Sequence, residues 1–159
     1  ALLVTFGRRG LLGEWLYETF GISLPFTTTA VVMAQSFVAM PFLVVAVEGA
    51  LRTADRRFED VAATLGASGW TTFRRVTLPA VAPGVLAGAV LSWARALGEF
   101  GATITFAGTF PGTTRTMPPA AYAAINSGDV QTAIVLSLLM IVVSVTVLVA
   151  LRDRWVRTG

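Results

Sequence analysis

Three residue types with reactive side chains are absent from this chain of 159 residues: cysteine, histidine and lysine. Without cysteine and histidine, the chain cannot form disulfides, the usual zinc sites, histidine-ligated haem, or a Ser-His or Cys-His catalytic pair. Without lysine, it cannot contain the phosphate-binding loop GxxxxGK[ST]. We therefore expect a chain that is not an enzyme and that binds no metal or cofactor itself.

Charged residues are scarce, at 13%, while hydrophobic residues reach 55% and the mean hydropathy is +0.73. This composition is typical of a membrane protein and too apolar for a soluble domain of this length. All 12 basic residues are arginine, and they cluster at the ends of apolar runs, where membrane topology accounts for them. We therefore expect a lipid bilayer, and no nucleic acid, as the partner of these arginines.

Three apolar runs are long enough to cross a bilayer, whose hydrocarbon core of about 30 Å needs about 20 helical residues. They cover residues 26–48, a run from Pro79 to about residue 105, and residues 130–151. The sequence thus predicts an all-α fold, a polytopic transmembrane helical bundle of three spans in one domain of residues 1–159. Because the chain starts within an apolar segment, ALLVTF, we expect it to be truncated at its N-terminus.

Arginine counts predict the orientation of the spans, because cytoplasmic loops carry an excess of basic residues. Eight arginines lie between the first two spans or after the third: Arg52, Arg56, Arg57, Arg74, Arg75, Arg152, Arg154 and Arg157. On the other side lie Arg8, Arg9 and Arg115. We therefore expect a multi-pass protein of the inner membrane, with residues 52–79 and the C-terminus in the cytoplasm and residue 1 outside.

The outer connectors carry weaker signals. The stretch GRRGLLGEWLYETFG, residues 7–21, is predicted to form a short amphipathic helix at the outer surface. The stretch AGTFPGTTRTMPPAAYAAINSGD, residues 107–129, is rich in glycine and proline, which predicts a loop with at most one short helix.

The segment of residues 52–79, here called the insert, is the most polar part of the chain. Its apolar residues Phe58, Val61, Ala62 and Leu65 share one helical face, while Arg56, Arg57, Glu59 and Asp60 occupy the other. Asp55 and Ser68 are candidate N-caps, Gly66 a candidate left-handed C-cap, and Trp70, Phe73 and Val76 belong to a second helix that Pro79 closes. This pattern predicts a helix-turn-helix. By periodicity alone, it also fits an ordinary structured loop or an amphipathic helix at the membrane interface.

The spacing of residues in the insert resembles the EAA motif of ABC-importer permeases. The motif's usual form is Glu-Ala-Ala, three residues, Gly, nine residues, Ile, one residue and Leu-Pro. Here Asp60-Val61-Ala62, Gly66, Val76 and Leu78-Pro79 stand at those positions. The resemblance implies that the insert docks into the ATP-hydrolysing subunit and transmits its motion. The residues that it implies for this coupling are Glu59, Asp60, Val61, Ala62, Gly66, Ala67, Ser68, Leu78 and Pro79.

Other stretches, among them ARALGEFGATITFAG and TRTMPPAAYAAINSGD, resemble the C-terminal half of molybdate permeases, which are related to the sulfate permeases. The resemblance implies import of molybdate, with Thr-Arg-Thr-Met-Pro at 114–118 favouring that anion over sulfate, thiosulfate or tungstate. It also implies four kinds of neighbour: a second copy of the permease, two ATP-binding cassette subunits, an external anion-binding protein and the bilayer. ATP would be used by the partner subunit.

The second span contains two charges, Arg95 and Glu99, four residues apart. On a continuous helix they share a face with Gly84, Gly88 and Ser92, and the two glycines predict close helix packing. One interpretation is an ion pair that locks the span, with further partners on other helices; the other is contact with an anion in the transport path.

Candidate residues of the path or its gate are Arg95, Gly98, Glu99, Gly101, Thr103 and Thr105. The two threonines have an alternative, a hydrogen bond to their own backbone. Gln35 and Ser36 in the first span are expected to be helix-to-helix contacts.

Two other functional classes compete with an importer. A channel or secondary transporter also places charges within spans, but it does not account for the spacing in the insert. A membrane-embedded hydrolase without histidine or lysine needs a pair of carboxylates, and Glu99 is the one carboxylate predicted in the interior of a span. A second carboxylate would have to lie in the part of the protein expected upstream.

Overall fold

A computed structural model describes residues 2–156, and the side chains of residues 2–150. Arg157 lies outside the described residues, as do the side chains of Arg152 and Arg154. The described range contains nine α-helices and a π-helical segment: α1 Leu2–Phe6, α2 Gly13–Phe20, α3 Thr28–Thr53, α4 Arg57–Thr64, α5 Gly69–Thr72, π Phe73–Thr77, α6 Leu78–Leu97, α7 Gly101–Phe106, α8 Met117–Asn126 and α9 Val130–Val156.

Three helical stretches are long and apolar enough to cross a membrane: Thr28–Thr53, Gly69–Leu97 and Val130–Ala150. They confirm the predicted all-α polytopic fold. The first runs five residues past the predicted end, where the exposed side chains of Glu48 and Arg52 form an ion pair of 2.7 Å on one turn. The helix of the first span therefore ends inside the insert, at Thr53.

Helices α3 and α6 pack together along the small face of α6. A Cβ added at Gly84 would overlap the side chain of Ala50, and one added at Gly88 would overlap Ala46. By contrast, Gly49 on α3 faces open space. The two helices therefore approach so closely that only glycine fits at Gly84 and Gly88.

The predicted second span is wrong at its end, because α6 stops at Leu97 and α7 is a separate helix. The Glu99 carboxylate accepts a hydrogen bond from the backbone N–H of Ala102, 2.8 Å away, and so caps α7.

Helix α7 lies against α3, and both contribute to a buried cluster: Ala30, Val31, Ala34, Phe106 and Ala107. The core of the described chain thus lies at the end of α3 opposite the insert.

Helix α8 packs against α9 and is the one helix in the loop of residues 107–129, as predicted. The carboxylate of Asp129 accepts a hydrogen bond from the Thr132 N–H at 3.0 Å, which caps α9. Hydrogen bonds from the side chain and backbone of Thr132 hold the pKa of Asp129 below its usual value, so the cap is ionised at neutral pH.

The predicted outer helix is wrong at its start, since α2 begins only at Gly13. Residues 7–12 form a tight turn in which Leu11 and Leu12 donate backbone hydrogen bonds to Val4 and Thr5. A side chain at Gly13 would overlap the carbonyl oxygen of Gly7, so this turn requires glycine there.

Candidate functional site

The insert is a helix, a glycine turn and a second helix. Asp55 accepts a hydrogen bond from the Arg57 N–H at 2.9 Å, and Ser68 caps α5 through the Thr71 N–H at 3.3 Å. Gly66 has a φ of +78°, as the predicted left-handed cap requires. A Cβ at Gly66 would meet nothing within 4 Å, so this turn points into open space.

Pro79 does not close the second helix, which is a correction to the sequence prediction. Helix α5, the π segment and α6 form one continuous helix, Gly69–Leu97. In the π segment the Leu78 N–H donates to the carbonyl of Phe73, five residues back. Since this turn is wider than an α-helical one, Pro79 enters the first turn of α6, where its ring and missing N–H are tolerated. The second helix of the insert is therefore continuous with the second span.

The apolar face of the insert is exposed and does not pack on the rest of the described chain. We call Phe58, Val61, Leu65 and Trp70 the insert surface; Leu65 is 82% and Trp70 70% exposed. Trp70 stacks on Phe73 with ring centroids 5.7 Å apart. Of the other predicted coupling residues, Asp60, Ser68, Leu78 and Pro79 are exposed, while Ala62 and Ala67 are half-buried. Such an exposed apolar face, next to an open turn, is suited to contact with another surface.

Glu59 does not belong to the solvent face on which its periodicity places it. Its carboxylate accepts a hydrogen bond of 2.5 Å from the hydroxyl of Thr77, and the side chain is half-buried. This bond joins α4 to the end of the π segment. Glu59 therefore fixes the angle between the two helices of the insert.

Arg95 and Glu99 form an ion pair, with Nη1 of Arg95 2.7 Å from Oε2 of Glu99. Glu99 is only 5% exposed and lies beyond the end of α6, between Gly98 and Gly101, so its predicted place on the α6 face is wrong. Arg95 pairs with Glu99 itself, and Glu99 in turn has a partner on another helix, the Ala102 N–H of α7. Both oxygens of Glu99 are used, one for Arg95 and one for the Ala102 N–H.

The two threonines of α7 differ. The Thr105 hydroxyl donates to the carbonyl of Gly101 at 2.8 Å. This is the hydrogen bond to its own helix backbone that sequence reasoning gave as the alternative to contact with an anion. The Thr103 hydroxyl is fully buried and has no hydrogen-bond partner among the described residues. Contact of either hydroxyl with a passing solute stays a prediction.

A cavity of about 360 Å³, here called the outer cavity, lies between α3, the end of α6 and the start of α8. Its lining residues are Gln35, Trp93, Ala96, Leu97, Arg115, Thr116 and Met117. Sequence reasoning treated Gln35 as a helix contact and used Arg115 for orientation and for the resemblance to molybdate permeases, and it placed neither residue in the path. A signal was present, because Arg115, Thr116 and Met117 belong to the Thr-Arg-Thr-Met-Pro stretch.

Comparisons with known proteins agree with a transport role. Residues 1–158 match the family described as binding-protein-dependent transport system inner membrane component. The chain is 53% identical to the molybdenum transport system permease protein ModB of Mycobacterium tuberculosis over 97% of this chain and 58% of that protein. It is 48% identical to the ModB protein of Escherichia coli K12, over 79% of this chain and 55% of that protein.

A sulfate transport system permease protein, CysW of Synechococcus elongatus, is 43% identical over 74% of this chain and 41% of that protein. The chain spans a little over half the length of the molybdenum permeases it matches. The family match, in contrast, extends over nearly all of the chain. The three helices that are long and apolar enough to cross a membrane agree with a family of inner membrane components. This chain belongs to the family of inner membrane components of binding-protein-dependent transport systems.

Proposed function

We propose that this chain is part of the permease subunit of an ATP-driven importer that carries molybdate across the inner membrane. The observation that carries the proposal is the insert surface, which is apolar, exposed and adjacent to an open glycine turn. Relatives named for molybdenum transport, at 48% to 53% identity, support the choice of anion.

The insert surface docks onto an ATP-hydrolysing subunit, with Asp60, Ala62, Ala67 and Ser68 at its margin. Burial of an exposed apolar side chain stabilises a contact by about 1.5–3 kcal/mol, so burial of the insert surface offsets a large part of the cost of association. Movement of the docked subunit reaches the second span directly, because Gly69–Leu97 is one helix. ATP is bound and used by the partner, and this chain supplies no cofactor site.

The assembly contains a second copy of the permease, two ATP-binding cassette subunits and an external anion-binding protein. In this arrangement residues 52–79 and the C-terminus face the cytoplasm, and residue 1 lies outside. Apolar side chains on α6 and α9, such as Leu91 and Leu138, are exposed in the single chain and face lipid or the second copy.

Sulfate is the second candidate substrate, because a sulfate permease is 43% identical to this chain. Both anions are tetrahedral and doubly charged, so a path built from hydrogen-bond donors accepts either. The binding protein then selects between them.

Uptake into vesicles tests the proposal. The full-length permease, co-expressed with its ATPase and binding protein, is reconstituted and supplied with molybdate. We expect molybdate uptake that requires hydrolysable ATP and that a tenfold excess of sulfate barely reduces. Uptake without ATP would indicate a channel or secondary transporter, and equal competition by sulfate would reassign the substrate.

A further inference from the structure

We propose that the outer cavity is a contact site for the transported oxyanion, at which Arg115, Thr116 and Gln35 donate hydrogen bonds to its oxygens. The three residues come from different parts of the chain and line one cavity. This inference rests on the proposed function, since it names the residues that the anion meets on its path.

Arg115 supplies an uncompensated positive charge. Its Nε and Nη2 donate to the carbonyl oxygen of Thr109 at 3.4 and 3.3 Å, which are long hydrogen bonds. A guanidinium has five N–H donors, so others are left to bind a ligand. Within the described side chains no carboxylate pairs with Arg115, and no acidic residue lines the cavity. The cavity is therefore attractive to anions.

Thr116 and Gln35 supply neutral donors. The Thr116 hydroxyl is buried without a hydrogen-bond partner in the described part of the chain. Such a group costs about 1–3 kcal/mol of desolvation unless a ligand or water satisfies it. The Gln35 side chain also makes no hydrogen bond to the residues that the structure describes. Both residues line the same cavity as Arg115, so an anion that enters the cavity comes close to all three side chains.

The size of the cavity fits passage better than tight binding. A volume of about 360 Å³ is many times what a single water molecule requires. An oxyanion therefore enters with part of its hydration shell. Contacts of this kind attract an ion but also release it, as conduction requires.

Arg95, the cation that sequence reasoning preferred, does not take this role. It is paired with Glu99 at 2.7 Å. On an ideal helix it also points roughly 160° away from Trp93 and Leu97, which line the cavity, and about 100° away from Ala96.

The loop that carries Arg115 is anchored to the first span. The Phe110 N–H donates to the hydroxyl of Thr114 at 3.0 Å, and the Thr28 hydroxyl donates to the carbonyl of Thr113 at 3.2 Å. These bonds hold Arg115 at a defined place relative to Gln35 on α3.

Two threonine variants in the full-length transporter, assayed with its ATPase and binding protein, test the site. Thr116→Val removes the unpartnered hydroxyl and keeps the shape of the side chain. Thr109→Val is the matched control, because its hydroxyl is also buried and unpartnered but does not line the cavity. We expect molybdate uptake to fall about tenfold in Thr116→Val, as for loss of a hydrogen bond to a charged group, and to stay unchanged in Thr109→Val.

Two substitutions of Arg115, one that removes its charge and one that keeps it, test its role. Arg115→Gln is expected to lower uptake by tenfold or more at subsaturating molybdate, while Arg115→Lys keeps a substantial part of the rate, because it keeps the charge. ATP hydrolysis stimulated by the binding protein should stay at the wild-type rate in each variant, which a merely structural effect on assembly would not allow.

The possible outcomes distinguish failure of the proposed anion site from failure of the proposed function. If wild-type protein imports molybdate but Thr116→Val and Arg115→Gln match it, the site is wrong and the proposed function stands. Equal losses in Thr109→Val and Thr116→Val would also overturn the site, since they indicate an effect on the loop alone. If wild-type protein imports no oxyanion, both proposals fail.

Discussion

At the scale of single residues, the two charges near the outer end of the second span neutralise each other and hold a break in the helix. Glu99 is almost fully buried, and its carboxylate bonds both Arg95 and the first turn of α7. A buried charge that loses its partner is costly, so each residue keeps the other in place.

A double-mutant cycle should detect this coupling. Glu99→Gln keeps an acceptor for the Ala102 N–H but loses the charge, and we expect it to destabilise the full-length protein by about 1–2 kcal/mol. This value is discounted because Arg95 is partly exposed. In the Arg95→Gln background the same change should cost clearly less. Thermal unfolding in detergent measures both steps, and additive effects would show that the pair contributes no coupling.

The pair itself could be predicted from the sequence, but its geometry could not. The spacing of Arg95 and Glu99 and the cost of charge in an apolar span already indicate a paired site. Gly98 and Gly101, which sequence reasoning placed at the path or its gate, mark the end of one helix and the start of the next. Sequence periodicity assumes an unbroken helix, and therefore placed Glu99 on α6 instead of in the break between α6 and α7.

At the scale of helices, the contact between α3 and α6 depends on small residues at their crossing. Gly84 and Gly88 lie where any side chain would overlap an alanine of α3. In a bilayer the hydrophobic effect does not drive helices together, because lipid tails are themselves apolar. Close approach of this kind instead stabilises the helix pair through van der Waals contact.

Adding a methyl group to α6 and removing one from α3 tests how closely the two helices pack. Gly88→Ala should destabilise the protein by about 1–3 kcal/mol through overpacking against Ala46. Ala46→Gly in the same chain should restore part of that loss. Gly49→Ala is the control, because it faces open space and should be neutral or slightly stabilising. The measurement is the thermal midpoint in detergent; a Gly88→Ala midpoint equal to that of wild type would contradict the packing.

The residue spacing predicts which face of α6 packs against α3. It does not predict that the second helix continues past Pro79. Small residues four apart indicate a packing face on any helix. Pro79 is a common stop signal, and nothing in the local pattern predicts the π turn that carries the helix past it. The outer cavity was missed for a related reason, because it assembles residues that are far apart in the sequence.

At the scale of the whole molecule, one helix connects the two surfaces to which we assign function. Gly69–Leu97 has 29 residues and is therefore about 43 Å long. Trp70 of the insert surface lies near its start, and Trp93 of the outer cavity lies near its end. A displacement of the insert therefore reaches the cavity without crossing a flexible linker.

Docking of the insert is the central claim, and two matched tryptophan variants test it most directly. Gly66 and Gly128 have φ values of +78° and +80°, the same hydrogen-bonded turn, and open space around a Cβ. Tryptophan therefore strains both turns equally, but only Gly66 lies in the insert. The measurement is the amount of ATPase subunit that co-purifies with tagged full-length permease from membranes.

We expect Gly66→Trp to insert normally and to lose most of the ATPase subunit, because the ring fills the space that docking needs. Gly128→Trp should retain the ATPase subunit at the wild-type level. If Gly66→Trp retains it as well, the insert is an ordinary loop and the coupling role assigned to it is wrong.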